Sequence, residues 1–107
     1  MATLYITEFK GAAQQLGERT WGAGPGVVSF AAQPPQAEQT VAIGGTSTPS
    51  AAFSANTYLV RVSTDAICSV LFGASPTATA ASARMAAGQT EYFGVVPGMK
   101  LAVISNT

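Results

Sequence analysis

The stretch Thr57-Tyr58-Leu59-Val60-Arg61-Val62-Ser63-Thr64-Asp65-Ala66-Ile67-Cys68-Ser69-Val70-Leu71-Phe72 decides the fold class. Its first half alternates. Tyr58, Val60 and Val62 fall on one side of an extended chain and Leu59, Arg61 and Ser63 on the other, the period of two that a strand imposes. Thr64-Asp65 reads as a turn. Ala66 to Phe72 then forms an apolar run, expected to be a strand buried on both faces.

Working outward, Gly73-Ala74-Ser75-Pro76 ends that strand. Residues 77–83, all Thr, Ala or Ser, are expected to be a loop or a weak edge strand. Arg84 to Gly88 leads into a strand over Thr90 to Val95. Pro97-Gly98 is a turn signal, with proline suited to the second position and glycine to the one that needs positive φ. Lys100 to Ser105 makes a last strand. Upstream, Thr3 to Phe9 and Glu38 to Ile43 are strand-like. Roughly six to eight short strands without a long helix predict an all-β single domain over 1–107. Its expected form is an antiparallel β-sandwich, jelly-roll-like or a small barrel. The predicted buried layer draws on Val60, Val62, Cys68, Val70, Phe72, Phe93, Val103 and Ile104.

The segment 10–35 does not fit the strand pattern. Gly11, Gly17, Gly22, Gly24, Pro25, Gly26, Pro34 and Pro35 punctuate it, and it is expected to be a long irregular N-terminal connection with room for a short helical turn over Gly11 to Arg19 and a short strand over Val27 to Phe30. It also holds Leu16, Trp21, Val28 and Phe30. A surface loop gains nothing by displaying such side chains unless something covers them. These four are the candidate partner-binding residues, with Trp21 as the anchor; the competing reading has the loop sealing one end of its own sandwich.

Composition sets the function class. Charged residues are 9% of the chain, against roughly 25% in an average soluble domain, while 48% is hydrophobic and the formal net charge is zero. So little charge predicts a surface largely covered by partners, because the cores of permanent interfaces are depleted in charge. Five basic and five acidic residues, scattered along the chain, offer no footprint for nucleic acid and none for an anionic membrane. The opening Met1-Ala2-Thr3-Leu4-Tyr5 lacks a signal-peptide pattern, and no apolar run nears the roughly 18 residues that span a bilayer. Synthesis in the cytoplasm is the expectation.

The chemical inventory points away from catalysis. There is no histidine and one cysteine, so the commonest general base is missing and a zinc cluster cannot be assembled. Cys68 sits inside an apolar strand and is expected to be buried and inert. Glu8, Glu18, Glu38, Asp65 and Glu91 are expected to be solvated or at a rim. Gly22-Ala23-Gly24-Pro25-Gly26 lacks the strand and helix context of a phosphate-binding loop, and Pro25 removes a donor. The expectation is a protein that is not an enzyme, with no catalytic residue, no cofactor, no metal and no small-molecule substrate.

In order along the chain stand Met1-Ala2-Thr3-Leu4-Tyr5-Ile6-Thr7-Glu8, Ala37-Glu38-Gln39-Thr40-Val41-Ala42-Ile43, Arg61-Val62-Ser63-Thr64-Asp65-Ala66-Ile67-Cys68, Phe72-Gly73-Ala74-Ser75-Pro76-Thr77-Ala78, Arg84-Met85-Ala86-Ala87-Gly88-Gln89-Thr90-Glu91 and Pro97-Gly98-Met99-Lys100-Leu101-Ala102-Val103-Ile104. In these motifs and their order the chain resembles short proteins encoded among the virion structural genes of tailed bacteriophages. The resemblance covers most of 37–107 and the opening strand; 10–35 contributes nothing to it. It implies a β-sandwich located in the virion, a capsid decoration or cement protein that binds the major capsid protein and copies of itself. A head–tail connector or tail component is the alternative within the particle. A carbohydrate-binding or adhesion module is the alternative outside that class, although Tyr5, Trp21, Tyr58 and Tyr92 form no evident platform in sequence.

Overall fold

Alternating side chains give ten strands among the described residues: β1 (Thr3–Phe9), β2 (Ala12–Ala13), β3 (Phe30–Ala31), β4 (Ala37–Ala42), β5 (Thr48–Pro49), β6 (Leu59–Thr64), β7 (Cys68–Gly73), β8 (Ala83–Met85), β9 (Thr90–Gly94) and β10 (Lys100–Ser105). The structure is a computed structural model that describes residues 2–10 and 34–107, and the backbone of 12–13 and 30–31. No helix occurs among them.

Eight of the strands make two four-stranded antiparallel sheets, ordered β4-β1-β6-β9 (sheet 1) and β5-β10-β7-β8 (sheet 2). The chain passes from sheet to sheet at nearly every connection: β4 to β5, β5 to β6, β6 to β7, β8 to β9 and β9 to β10. Two four-stranded sheets wound in this way are a jelly roll. The small-barrel alternative is corrected by the ladders. Among the described residues each sheet ends in two edges without a further strand, β4 and β9 in one, β5 and β8 in the other, and neither closes on itself.

The core lies between the sheets. Leu4 and Ile6 of β1, Val41 of β4, and Val60 and Val62 of β6 face Cys68 and Val70 of β7, Met85 of β8, and Leu101 and Val103 of β10. All are buried, because alternate residues of every strand meet the opposite sheet. Ile43, Phe53 and Val95 fill the ends from the loops. Five of the eight predicted core residues, Val60, Val62, Cys68, Val70 and Val103, lie in this layer. Phe72 and Phe93 are corrected to half-buried side chains packed against its rim, with ring centroids 4.8 Å apart and Phe53 at 6.4 Å from Phe72. Ile104 is also half-buried; it alternates with Val103 and so belongs to the outer side of β10.

Three further expectations change. Tyr58 precedes β6 and is 52% exposed, although it shares parity with Val60 and Val62. The apolar run ending at Phe72 is not buried on both faces along its length, since Leu71 is 41% exposed. Within 10–35, the backbones of Ala12–Ala13 and Phe30–Ala31 pair antiparallel; this short ladder overlaps the expected strand at Phe30, and its partner at Ala12–Ala13 was not expected.

The turns follow their sequence signals. Met99 N–H donates to Val96 O at 3.3 Å across Pro97-Gly98, and Gly98 has φ 84°. Gly88 at φ 80° closes the turn in which Gln89 N–H donates to Ala86 O at 3.0 Å. Both positions require a residue that tolerates the left-handed region.

The packing predicts unequal costs for two substitutions. Leu101→Ala removes a fully buried side chain from a central strand and is expected to cost about 2–5 kcal/mol. Phe72→Ala, at the rim, is expected to cost less. Urea unfolding of the two variants checks the order; a larger loss for Phe72→Ala contradicts the placement of the core.

Candidate interaction surface

The two outer faces of the sandwich differ. On sheet 2 the chain covers itself. Between β7 and β8 the segment 74–82 reaches across to the β5 side, where Ala78 N–H donates to Ser47 Oγ at 2.8 Å and Ala78 is buried. The Asn106 amide donates to Ser69 Oγ at 2.7 Å and to Ala80 O at 3.1 Å, fixing the segment to the outer side of β7. Ser69 and Ala102 are therefore fully buried although they alternate with core residues. Small side chains let the segment lie close, which explains the Thr/Ala/Ser run at 77–83.

Sheet 1 has no such cover among the described residues. Register places Glu38, Thr7, Arg61 and Tyr92 in one row across β4, β1, β6 and β9, and Thr40, Tyr5, Ser63 and Thr90 in the next. These side chains alternate with the core residues and face outward. Tyr5 is 48% and Tyr92 55% exposed. They stand two strands apart and one row out of line, about 10 Å across and 7 Å along the sheet. A shallow depression of ≈ 410 Å³ runs beside Tyr5, between β1 and β4, and is lined by Tyr5, Ile6, Thr7, Glu38, Gln39 and Thr40.

Aromatic residues are partitioned by chemistry. All three tyrosines are about half exposed, whereas Phe9 and Phe53 are buried and Phe72 and Phe93 half-buried. In these two rows the charged residues are Glu38 and Arg61, and Asp65, opposite Thr3, continues the outward side of β6. The face can donate and accept hydrogen bonds through phenols, hydroxyls, carboxylates and a guanidinium, and can stack its rings on a partner.

Glu8 departs from the solvated-carboxylate expectation. It is 1% exposed at the inner end of β1. Its Oε1 accepts from Ser54 N–H at 2.8 Å and Thr57 Oγ1–H at 2.9 Å, and its Oε2 from the Gln39 amide at 3.0 Å. Gln39 in turn accepts Ala51 N–H at 3.0 Å through Oε1. Asn56, at φ 72°, turns the chain so that Ser54 and Thr57 converge on one oxygen. All three donors are neutral. The carboxylate ties the 50–57 loop to β1 and β4, and the same loop delivers Phe53 to the core.

Cys68 is fully buried, and burial pushes its thiol up from the ordinary value, opposed by a hydrogen bond to Thr64. Among the described residues no three of Asp, Glu and Cys gather as a metal site.

Of the sequence-predicted partner residues, Leu16, Trp21 and Val28 lie outside the described residues, and Phe30 is described only in its backbone, paired with Ala13. Nothing therefore brings the four together here. Tyr5 and Tyr92, which the sequence reading set aside as forming no evident platform, share the outer face of sheet 1. Alternation could have found Tyr5, which stands between Leu4 and Ile6 in β1; joining it to Tyr92 required the ladders. A scan of family models, a search of curated proteins and a search of solved structures each found no match to the chain.

Two predictions follow from the buried polar groups. Glu8→Gln keeps the volume but sets an amide N–H₂ against existing donors, and is expected to lower stability by about 1–3 kcal/mol; an unchanged denaturation midpoint contradicts the clamp. For Cys68, the raised folded-state value means that its contribution to stability is fully present below the unfolded thiol's value and is lost as pH rises through the folded one. Alkylation in the native state is accordingly expected to lag behind that of the urea-unfolded chain at every pH up to about 9; equal rates refute it.

Proposed function

We propose that the chain is a structural assembly protein that docks through the open outer face of sheet 1. On the resemblance of its motifs, we further propose that it is a virion protein of a tailed bacteriophage, a capsid decoration protein held by the major capsid protein and by copies of itself. The observation that carries the docking role is the pair of exposed tyrosines, Tyr5 and Tyr92, on a sheet face that no described residue covers, with Arg61 beside Tyr92 in the register. Interface cores are enriched in tyrosine and arginine and depleted in other charges. The scarcity of charge in the whole chain supports the same reading. Leu16, Trp21, Val28 and Phe30 are assigned to that contact as well. The proposed role involves no chemistry: the fold supplies a stiff surface, and binding stabilises whatever shell it covers.

A second reading is favoured by one observation. Tyr5 and Tyr92 share a face, so a sugar-stacking platform is geometrically available where the sequence suggested none.

Particles that lack the protein are the test. Tyr5→Ala and Tyr92→Ala are each expected to weaken binding to such heads by about tenfold or more, with circular dichroism unchanged because both side chains are solvent-facing. Mass-spectrometric copy number then separates a decoration protein, spread over the shell, from a connector, limited to one ring. Absence from purified particles together with binding on a glycan array selects the sugar reading and overturns the virion one.

A further inference from the structure

Sheet 1 ends on β4, and the geometry points to this edge as the site where a second copy of the chain adds its own β4, joining two sandwiches through one continuous eight-stranded sheet. The pairing deepens the assembly role proposed above by naming one partner and its contact.

The direction of the backbone groups follows from two hydrogen bonds. Ile43 N–H donates to Ala2 O at 3.0 Å, and Asp65 N–H to Thr3 O at 3.3 Å. Even-numbered residues of β1 therefore bond β4, odd-numbered ones bond β6, and Leu4↔Val41, Ile6↔Gln39 and Glu8↔Ala37 are the bonded pairs of the β1–β4 ladder. Glu38, Thr40 and Ala42 consequently direct their N–H and C=O groups away from β1. No described residue pairs with that side of β4, and all three side chains are exposed.

This edge is complementary to itself. A two-fold axis through Thr40 sets Thr40 against Thr40 of the second copy, and Glu38 against Ala42 in both directions. That gives three pairs, each exchanging two bonds. No like charges meet, the Thr–Thr pair is a favourable cross-strand neighbour, and the zero net charge of the chain adds no repulsion between copies. The outer row then reads Tyr5, Thr40, Thr40, Tyr5, so the dimer presents a docking face twice as wide.

Other edges carry more of the devices that block pairing; β4 carries one charge, Glu38, which the two-fold sets against Ala42. β5 has two residues and contains Pro49; β8 has three and carries Arg84. In β9, Glu91 shares the inward parity of Phe93, and the strand ends in Gly94. β4 runs six residues in unbroken register, without proline, lysine, glycine or bulge.

Sedimentation equilibrium of the full chain, with Thr40→Pro and Thr40→Lys, tests the pairing. Proline at Thr40 removes an N–H that β1 does not use, a position where an edge strand tolerates it; lysine keeps the N–H but opposes two charges across the axis, so at least one variant folds. The expected result is a wild-type dimer of twice 10.8 kDa, with dissociation constants raised at least about tenfold in the variants, while Thr90→Lys on the opposite edge leaves it unchanged. Amide exchange at Thr40 is expected to slow as protein concentration rises. A monomeric wild type overturns the inference, and so does an oligomer that folded Thr40→Pro and Thr40→Lys leave intact. A dimer that fails to bind particles sinks the virion reading alone; a monomer that binds them sinks the edge pairing alone.

Discussion

Face-to-face packing of the two central strand pairs, β1 and β6 against β7 and β10, is the constraint on which the rest of this protein depends. Leu4, Ile6, Val60 and Val62 meet Cys68, Val70, Leu101 and Val103, and burying these side chains is the main favourable term available to so small a chain. Because strand parity is two, fixing that layer fixes everything facing outward. Tyr5, Thr7, Arg61 and Tyr92 are on the surface because their neighbours are in the core. A one-residue slip in any of these ladders exchanges the two sets.

Polar groups make the layer specific. Glu8 continues the inward side of β1 but ends in a cradle of Ser54, Thr57 and Gln39. A carboxylate at that depth is tolerated only with its lone pairs occupied, so the loop has to come to it, and Phe53 comes with the loop. At the other outer face, Asn106 bonding Ser69 and Ala80 holds a strap of small residues over sheet 2. Among the described residues the sandwich is thereby covered on one outer face and left without such a strap on the other.

Sparse charge and exposed tyrosine then work together. A tyrosine ring offers wide contact at little entropic cost, and a face with few charges has little to desolvate. The proposed continuation of this sheet through β4 into a second copy would enlarge the surface without adding a new kind of contact, and two linked weak contacts bind more tightly than either alone.

Much of the architecture was legible in the residues themselves. Alternation at 59–64 and 3–9, the Pro97-Gly98 turn and the break at Thr64-Asp65 are local signals, set by backbone sterics and by the two-residue repeat of a strand, and each appears in the structure. Burial near strand ends was not legible. Phe72, Phe93 and Ile104 have the same apolar character as Val70 and Val103, yet lie at the rim or on the outer side, because depth depends on how far the opposite sheet extends. The fate of Glu8 was hidden for the same reason: its partners are 31 to 49 residues away, and no local pattern announces them. The candidate surface is the sharpest case. Tyr5 and Tyr92 are far apart in the chain and become neighbours only because β6 lies between β1 and β9. Local alternation settled most of the long strands; the two-residue strands β2, β3 and β5, and which outward face no described residue covers, were decided by how the strands pair.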